Sequence, residues 1–269
     1  MRDDMIDEVT DLIREVARTV VLPRWRHLSD REVQEKTPGD LVTVADKESE
    51  RALTAGLTAL LPGSAVVGEE AVAADPTVLE RVGHDGAVWL VDPVDGTNNF
   101  ASGKTPFAVM VALLRDGEPA AGWILDVVGD RMTVAEAGSG AYIDGVRLKT
   151  RSDDPGADAL TGCISRNYFP DELRAGIDEN AAKLGRVTGG HHCAGYEYPS
   201  VATDEQQFAV FWRILPWDHT PGALILREAG GAVLHLDGSA YLPTDSQRGL
   251  LAAANHEIWH TVRGTLLPA

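Results

Sequence analysis

The sequence of 269 residues predicts an α/β fold, because stretches with a helical repeat of apolar residues occur beside short apolar runs typical of buried strands. A strongly amphipathic pattern begins at Met5, and strand-like runs separated by glycine-containing turns follow it. Beyond residue 150, strands alternate with helices. We expect one domain over residues 1–269, with an N-terminal α+β half (about 1–150) and a C-terminal α/β half (about 151–269).

The N-terminal half begins with two predicted helices. Apolar residues repeat at helical spacing over Met5–Val20, and this first helix should end near Pro23. The second helix should begin at Thr43 or a neighbouring residue and run to Leu60, since Pro62-Gly63 would stop it.

Apolar runs predict the strands of a sheet in the same half, and the two runs joined by Asp116-Gly117-Glu118-Pro119 should be neighbours. The runs are Ala65–Gly68, Trp89–Val91, Phe107–Leu114, Ala120–Val127, Met132–Ala137 and Ala141–Ile143. In the C-terminal half, Ile225–Ala229 should end a helix at Gly230-Gly231, before a strand over Ala232–Leu236.

Composition and charge restrict the possible functions. Acidic residues number 41 against 24 basic ones, for a net charge of −17, which argues against a nucleic-acid-binding surface. Two cysteines, Cys163 and Cys193, form no CxxC pair, as suits a reducing cytosol. The segment Met1-Arg2-Asp3-Asp4 does not begin a signal peptide, and no apolar run approaches the roughly 18 residues that span a bilayer. We therefore expect a cytoplasmic protein with neither nucleic-acid nor membrane partners.

The segment from Trp89 to Phe100 carries the clearest chemical pattern. Its apolar start leads into two carboxylates, Asp92 and Asp95, and Gly96-Thr97 then opens a predicted helix. Carboxylates bind hard cations, and a helix N-terminus binds anions through its free N–H groups. A place that gathers cations and a phosphate indicates phosphoryl transfer or phosphate hydrolysis.

Three other segments carry carboxylates that could join this place: Lys36–Asp46, Gly68-Glu69-Glu70 and Trp217–Gly231. Together with Asp92–Thr97, in this order and spacing, they resemble the inositol monophosphatase family over most of the chain. The resemblance implies a layered αβαβα sandwich of the inositol monophosphatase and fructose-1,6-bisphosphatase type. It also implies a homodimer that uses Mg²⁺ to hydrolyse phosphate monoesters of small metabolites.

The resemblance assigns the metal ligands residue by residue. Glu69, Asp92 and the backbone carbonyl of Val94 would hold one Mg²⁺. Asp92 would bridge to a second ion, completed by Asp95 and Asp218. A third, weaker ion would share Glu69, so that each subunit would hold two or three. All of these ligands are oxygens, which Mg²⁺ prefers.

The remaining catalytic roles fall on the same segments. Gly96 and Thr97 would offer backbone N–H groups to the phosphate. Asp46 and Thr97 would orient the attacking water and help to deprotonate it. Asp46, Thr97 and Glu69 are thus the predicted catalytic residues, and Glu70 has a supporting role.

The substrate side departs from the family pattern between Gly189 and Trp217. Inositol-specific members carry a glutamate at the position of Phe211, and a phenylalanine cannot accept the hydrogen bond of a hydroxyl. We therefore expect myo-inositol 1-phosphate to be a poor substrate, and histidinol phosphate, fructose 1,6-bisphosphate and adenosine 3′,5′-bisphosphate remain open alternatives. The predicted substrate contacts are His192, Cys193, Glu197 and Phe211.

Two other interpretations belong to different classes of protein. The segment His256-Glu257-Ile258-Trp259-His260 matches the HExxH pattern of zinc proteases, but little chain follows it to supply a third ligand, so we interpret the match as a coincidence. A pseudoenzyme that only binds a phosphorylated metabolite would be expected to have lost a carboxylate, and all of them are present. Asp40 fits an N-cap of the second helix as well as it fits the site.

Overall fold

The structure, a computed structural model, describes residues 4–268, in which β-sheets alternate with layers of helices. Residues 1–3, part of the segment that lacks a signal-peptide pattern, lie outside the described residues. The strands are β1 Val33–Thr37, β2 Asp40–Thr43, β3 Ala65–Gly68, β4 Ala87–Asp95, β5 Ala108–Arg115, β6 Glu118–Asp126, β7 Arg131–Glu136, β8 Gly140–Ile143, β9 Val146–Arg147, β10 Thr161–Ile164, β11 Arg186–Thr188, β12 Phe208–Phe211, β13 Ala232–His235 and β14 Leu250–Ala253. The helices are α1 Met5–Val16, α2 Val44–Leu60, α3 Glu69–Ala74, α4 Thr97–Ala101, α5 Asp171–Ala181, α6 Ala194–Ala202, α7 Pro216–Ala229 and α8 His256–Leu266.

The N-terminal sheet has seven strands in the order β3-β4-β5-β6-β7-β8-β9. Strands β3 and β4 are parallel, and every later pair is antiparallel, which makes the meander that the turn signals predict. Strands β1 and β2 form a separate antiparallel hairpin.

Helices α1 and α2 cover one face of the seven-stranded sheet. Helix α1 buries the apolar positions of its amphipathic pattern and continues through a widened helical turn, Ala17–Val21, and a tight one, Leu22–Arg24. It therefore ends near Pro23, as predicted. Helix α2 begins after Thr43, whose hydroxyl oxygen accepts the N–H of Ala45 at 3.1 Å. The predicted start and end of α2 are confirmed.

The C-terminal sheet has five strands in the order β11-β10-β12-β14-β13. Strand β10 is parallel to both β11 and β12, so the carboxyl ends of these three strands lie at one edge. Helices α5 and α8 pack together, and α8 packs on the outer face of this sheet.

Helices α6 and α7 form the layer between the two sheets, because each packs on strands of both. Helix α7 contacts β5, β6 and β7 of the N-terminal sheet and β13 of the C-terminal sheet. Helix α6 contacts β5 and β6 of the first and β12 of the second. The approach is close at Gly122 of β6, where an added Cβ would lie 2.9 Å from the Cα of Pro221 in α7. The αβαβα layering implied by the resemblance is confirmed.

Most predicted elements form, and two details differ. Helix α7 ends at Gly230, in the left-handed region at φ 105°, as the Gly230-Gly231 pair predicts. The N-cap interpretation of Asp40 is wrong, because Thr43 caps α2 and Asp40 begins β2. The β5–β6 turn is shorter than the four residues predicted: Asp116 and Gly117 both have positive φ, and β6 already begins at Glu118. None of the helices within residues 4–268 is long and apolar enough to cross a bilayer.

Candidate active site

A cleft of about 270 Å³ lies where the carboxyl ends of strands from both sheets meet. Glu69 follows β3, Asp95 ends β4, Ser165 follows β10 and Phe211 ends β12. Almost every residue predicted for the site lines this cleft. They are Glu69, Asp92, Val94, Asp95, Gly96, Thr97, His192, Cys193, Glu197, Phe211 and Asp218. Asp46, the remaining one, is fully buried behind Thr97.

An extra residue in β4 places Asp92 and Asp95 on the same side. Side chains three positions apart on a regular strand face opposite ways. Here Asp92 pairs with Met110 and Asp95 with Ala108, so β4 has one residue more than β5 over this stretch. Such a bulge breaks the alternation, and both carboxylates line the cleft.

The two aspartates are held by backbone donors. The N–H of Val94 donates to Asp92 Oδ1 at 3.0 Å, and the N–H of Gly195 in α6 donates to Asp95 Oδ2 at 2.6 Å. Asp218 enters from the first turn of α7. These cleft carboxylates thus come from the N-terminal sheet and from the helical layer between the two sheets.

Burial and mutual repulsion make this cluster a poor environment for negative charge. Burial raises the pKa of Asp95 to about 6, although the Gly195 N–H favours the ionised form. Burial, and then the charges of Glu69 and Asp95, raise the pKa of Asp218 well above its ordinary value, and the pKa of Asp92 rises for similar reasons. A cation in the cleft would relieve this repulsion.

The donor set fits a hard divalent cation, because carboxylate and carbonyl oxygens supply it. Within residues 4–268, no three acidic, histidine or cysteine side chains already stand at the spacing of a metal cage. One predicted ligand is instead paired with a cation of the chain itself: Lys36 Nζ lies 2.6 Å from Glu69 Oε1 and 2.9 Å from Glu70 Oε1. Burial alone would lower the pKa of Lys36, but the charges of Glu69 and Glu70 raise it above its ordinary value.

Glu50 is a buried carboxylate that sequence reasoning missed. Its oxygens accept the N–H groups of Glu70 at 2.7 Å and Ala71 at 2.8 Å, which fixes the start of α3 and with it the position of Glu69. Burial raises the pKa of Glu50 to about 7. An added Cβ on Gly68 would overlap the Glu50 carboxylate, so the glycine before Glu69-Glu70 is the sequence signal for this contact.

Asp46 and Thr97, which the resemblance predicts to act on the same water, form a hydrogen bond with each other. Thr97 Oγ1 lies 3.0 Å from Asp46 Oδ1 and 2.9 Å from the carbonyl oxygen of Val94, and its single proton can serve one of them at a time. Asp46 Oδ2 accepts the N–H of Thr43 at 2.8 Å and its hydroxyl at 2.5 Å. Burial raises the pKa of Asp46 to about 7, against the effect of these hydrogen bonds.

The backbone at Gly96 requires a glycine. Its φ is 86°, and an added Cβ would lie 3.0 Å from the carbonyl oxygen of Pro106. This turn leads from the carboxylates of β4 directly into the first turn of α4, beginning at Thr97. Backbone N–H groups and carboxylates therefore share one end of the cleft.

The predicted substrate contacts line the same cleft, and the side chains of two of them already form hydrogen bonds within the protein. Glu197 accepts the N–H of His191 at 2.6 Å and the Gln206 Nε2 at 2.5 Å, so this carboxylate holds the loop that precedes α6. Cys193 Sγ is buried and donates to the carbonyl oxygen of Asp95 at 3.6 Å. His192 has a positive φ of 56°, and its Nδ1 lies 3.4 Å from the Asn167 Nδ2, while Phe211 offers the cleft an apolar ring.

Arg213 is a cleft residue that sequence reasoning missed. Its Nη1 lies 3.4 Å from Asp40 Oδ2, and its guanidinium carbon lies 4.3 Å from the centroid of the Tyr168 ring. His219 supports its backbone. Burial lowers the pKa of His219 to about 3, so its ring is neutral. The Nε2–H of this ring donates to the Arg213 carbonyl oxygen at 3.2 Å, and Nδ1 accepts a hydrogen bond from the Tyr198 hydroxyl at 3.0 Å. No motif marks Arg213, since Phe211-Trp212-Arg213 precedes the recognisable Trp217-Asp218.

The HExxH match does not form part of this site. His256, Glu257 and His260 are exposed on α8, and none of them lines the cleft. The side chains show a surface helix, as the coincidence interpretation predicts.

Comparisons with known proteins agree with the geometry. The profile of the inositol monophosphatase family matches residues 2–267. The chain is 30% identical over 227 residues to inositol-1-monophosphatase of Bacillus subtilis, covering 84% of this chain and 83% of that protein. It is 27% identical to the fructose-1,6-bisphosphatase/inositol-1-monophosphatase of Thermotoga maritima, covering 87% and 86%. Among solved structures, inositol monophosphatase-II from Staphylococcus aureus superposes with a TM-score of 0.82 at 25% identity, covering 98% of this chain and 94% of that one.

The resemblance drawn from the four carboxylate segments is thereby confirmed, and the zinc-protease interpretation is wrong. The family profile spans almost the whole chain, and the relatives align over most of their own lengths. This chain belongs to the inositol monophosphatase family and is a phosphatase of that family.

Proposed function

We propose that this protein hydrolyses the phosphate monoester of a small metabolite and depends on Mg²⁺ to do so. One observation carries the proposal: four carboxylates, the Asp46–Thr97 pair and the Gly96 turn converge on a single cleft. Glu69, Asp92, Asp95, Asp218 and the carbonyl of Val94 would hold the metal ions, two or three for each subunit. Bound Mg²⁺ would supply positive charge to the phosphate and lower the pKa of water.

The chain's own residues would orient the reactants. Thr97 Oγ1 would contact the attacking water, and Asp46, with a pKa of about 7, is suited to take up its proton near neutral pH. The backbone N–H groups of Gly96 and Thr97 would hold the phosphate oxygens, since this turn stands beside the carboxylates. Phe211, Trp212 and His192 would surround the leaving group, which then departs toward the C-terminal sheet.

The identity of the leaving group depends on the cleft residues that would surround it, Phe211 above all. Phe211 is packed against Tyr198, with ring centroids 5.4 Å apart, and it offers no acceptor for an inositol hydroxyl. We therefore propose that myo-inositol 1-phosphate is a secondary substrate. Fructose 1,6-bisphosphate, which the name of the Thermotoga relative includes, remains a candidate with histidinol phosphate and adenosine 3′,5′-bisphosphate. A homodimer in the cytoplasm is part of the same proposal and rests on the family resemblance.

The test is phosphate release from a panel of these esters and glycerol 2-phosphate, each with Mg²⁺ and with EDTA. Release from at least one ester that requires Mg²⁺ would support the proposal. Release that persists in EDTA would overturn the metal dependence. No release from any ester, with binding still detected by calorimetry, would favour a metabolite-binding pseudoenzyme.

A further inference from the structure

We propose that Arg213 selects phosphate esters whose leaving group carries a second anionic group, a phosphate or a carboxylate. The inference rests on the proposed function and concerns the leaving-group end of the same cleft. It makes Arg213 a specificity-determining residue of this chain.

Arg213 lines the same cleft as the turn at Gly96 and comes from the C-terminal half of the chain. It follows β12 by two residues, beside Phe211 and Trp212, and its guanidinium stacks on Tyr168 from the segment after β10. The reacting phosphate would be held by Gly96 and Thr97 at the end of β4. The leaving group would extend from there toward the C-terminal sheet, where Arg213 stands.

The charge distribution gives Arg213 a distinct role. Among the described residues that line the cleft, Arg213 is the one that carries a permanent positive charge, while Asp40, Glu69, Asp92, Asp95 and Asp218 are acidic. When cations neutralise the carboxylates that hold them, Arg213 no longer has to compensate these charges. It is then free to attract an anion on the substrate.

The partner that Arg213 has in the structure is replaceable. Its Nη1 lies 3.4 Å from Asp40 Oδ2, a long distance for a charge-assisted hydrogen bond, and the two side chains are 31% and 30% exposed. A partly exposed pair at this separation contributes little to stability. The planar guanidinium of Arg213 presents two parallel N–H donors, which suit a carboxylate or phosphate that can accept two hydrogen bonds at once.

The position of Arg213 is nevertheless fixed. His219 Nε2 donates to its carbonyl oxygen at 3.2 Å, and Tyr198 in turn donates to His219. The Tyr168 ring supports the guanidinium at 4.3 Å. Since the bond from His219 uses the Arg213 backbone, it survives any change of the side chain, and R213Q should fold.

The experiment compares kcat/KM for two matched pairs of esters in saturating Mg²⁺. Glycerol 2-phosphate and 2-phosphoglycerate differ by one carboxylate, and fructose 1-phosphate and fructose 1,6-bisphosphate differ by one phosphate. We expect wild type to prefer the doubly anionic member of at least one pair tenfold or more. R213Q should lose that preference while it changes the singly charged member less than threefold. The pair that responds identifies the anion as carboxylate or phosphate.

The matched control is R166Q. Arg166 lies near Tyr168 but pairs with Asp178 at 2.5 Å and does not line the cleft, so its substitution should leave both preferences intact. R213K, which keeps the charge and loses the planar fork, should retain part of the preference. Thermal unfolding of each variant checks that the fold is kept.

Two outcomes would overturn the inference. An equal loss on both members of a pair would place Arg213 at the reacting phosphate, and no loss on either would leave it without a role in selection. If wild type hydrolyses no ester, the proposed function fails. The same two pairs of esters then serve as ligands in titration calorimetry, which tests the role of Arg213 in binding. Tighter binding of the doubly anionic member, abolished in R213Q, would sustain the inference, and equal binding would refute it.

Discussion

Asp92→Asn separates the role of Asp92 in cation binding from its role in the fold. The carboxylate is buried, and burial followed by the charges of Glu69, Asp95 and Asp218 raises its pKa well above the ordinary value. Asparagine removes the charge and keeps an oxygen that can accept the Val94 N–H, now 3.0 Å from Asp92 Oδ1. The metal-free variant should therefore be as stable as wild type, or more stable at pH 8.

The magnitude follows from linkage. A ligand at 100 times its Kd stabilises the folded state by about 2.7 kcal/mol. For a chain of this size, each 1 kcal/mol corresponds to roughly 2–4 °C in Tm, so saturating Mg²⁺ should raise the wild-type Tm by about 5–10 °C. Asp92→Asn should lose most of this increase, because the variant lacks the charge proposed to be shared by two ions. Phosphate release should fall by about 100- to 1,000-fold, on the order expected when electrostatic stabilisation of this kind is lost.

The assay is thermal unfolding of wild type and variant at pH 8, with EDTA and with a series of Mg²⁺ concentrations. Asp126→Asn is the matched control, because Asp126 Oδ1 also accepts the N–H two residues ahead, that of Val128 at 3.2 Å, and the residue lies outside the cleft. The control should keep the full Mg²⁺ response. An undiminished response in Asp92→Asn would refute the assignment of Asp92 as a shared metal ligand.

Three further predictions test other parts of the account. Thr97→Val, which removes the hydroxyl 3.0 Å from Asp46, should lower kcat by about 10²–10⁴-fold and keep the Mg²⁺-induced rise in Tm. Thr97→Ser, which keeps a hydroxyl, should retain most of the activity. Equal kcat values for the two variants would contradict the proposed orientation of the attacking water. Metal-free wild type should lose stability as pH rises from about 4 to 7, because Asp95 (pKa about 6) and Asp46 (pKa about 7) bind protons more tightly in the folded than in the unfolded state. Mg²⁺ should restore this stability. Denaturant titrations at each pH measure the free energy of unfolding, and a value that does not fall over this range would contradict the raised pKa values. Gly222→Ala should lower the free energy of unfolding by about 1–3 kcal/mol or more, since the added methyl would overlap the Tyr198 ring between α6 and α7. An unchanged Tm would show that the two helices can move apart to accommodate the methyl group.

The sequence predicted the parts of the site whose residues are close together along the chain. Asp92 and Asp95 stand at the end of one strand, and the turn at Gly96 follows at once, so a single segment contained the phosphate side. The αβαβα layering was predicted through the family resemblance rather than from the spacing of apolar residues. Spacing alone gave the helices and strands but not the order of strands in each sheet.

The parts that were missed depend on contacts between distant segments. Arg213 meets Asp40 across 173 positions of the chain, and nothing in the residues around either one predicts the pair. Glu50 holds the N–H groups of Glu70 and Ala71 from the preceding helix, and only the fold brings them together. Glu197 stays a predicted substrate contact, but the bonds from its oxygens to His191 and Gln206 are formed only in the folded chain.

The most direct test of the central claim is phosphate release by wild type as Mg²⁺ is titrated into metal-free protein, with the best ester of the panel as substrate. The account predicts that release is absent in EDTA, rises with Mg²⁺ to saturation and is not restored by Mg²⁺ in Asp92→Asn. Release that is independent of Mg²⁺, or equal in wild type and Asp92→Asn, would contradict it.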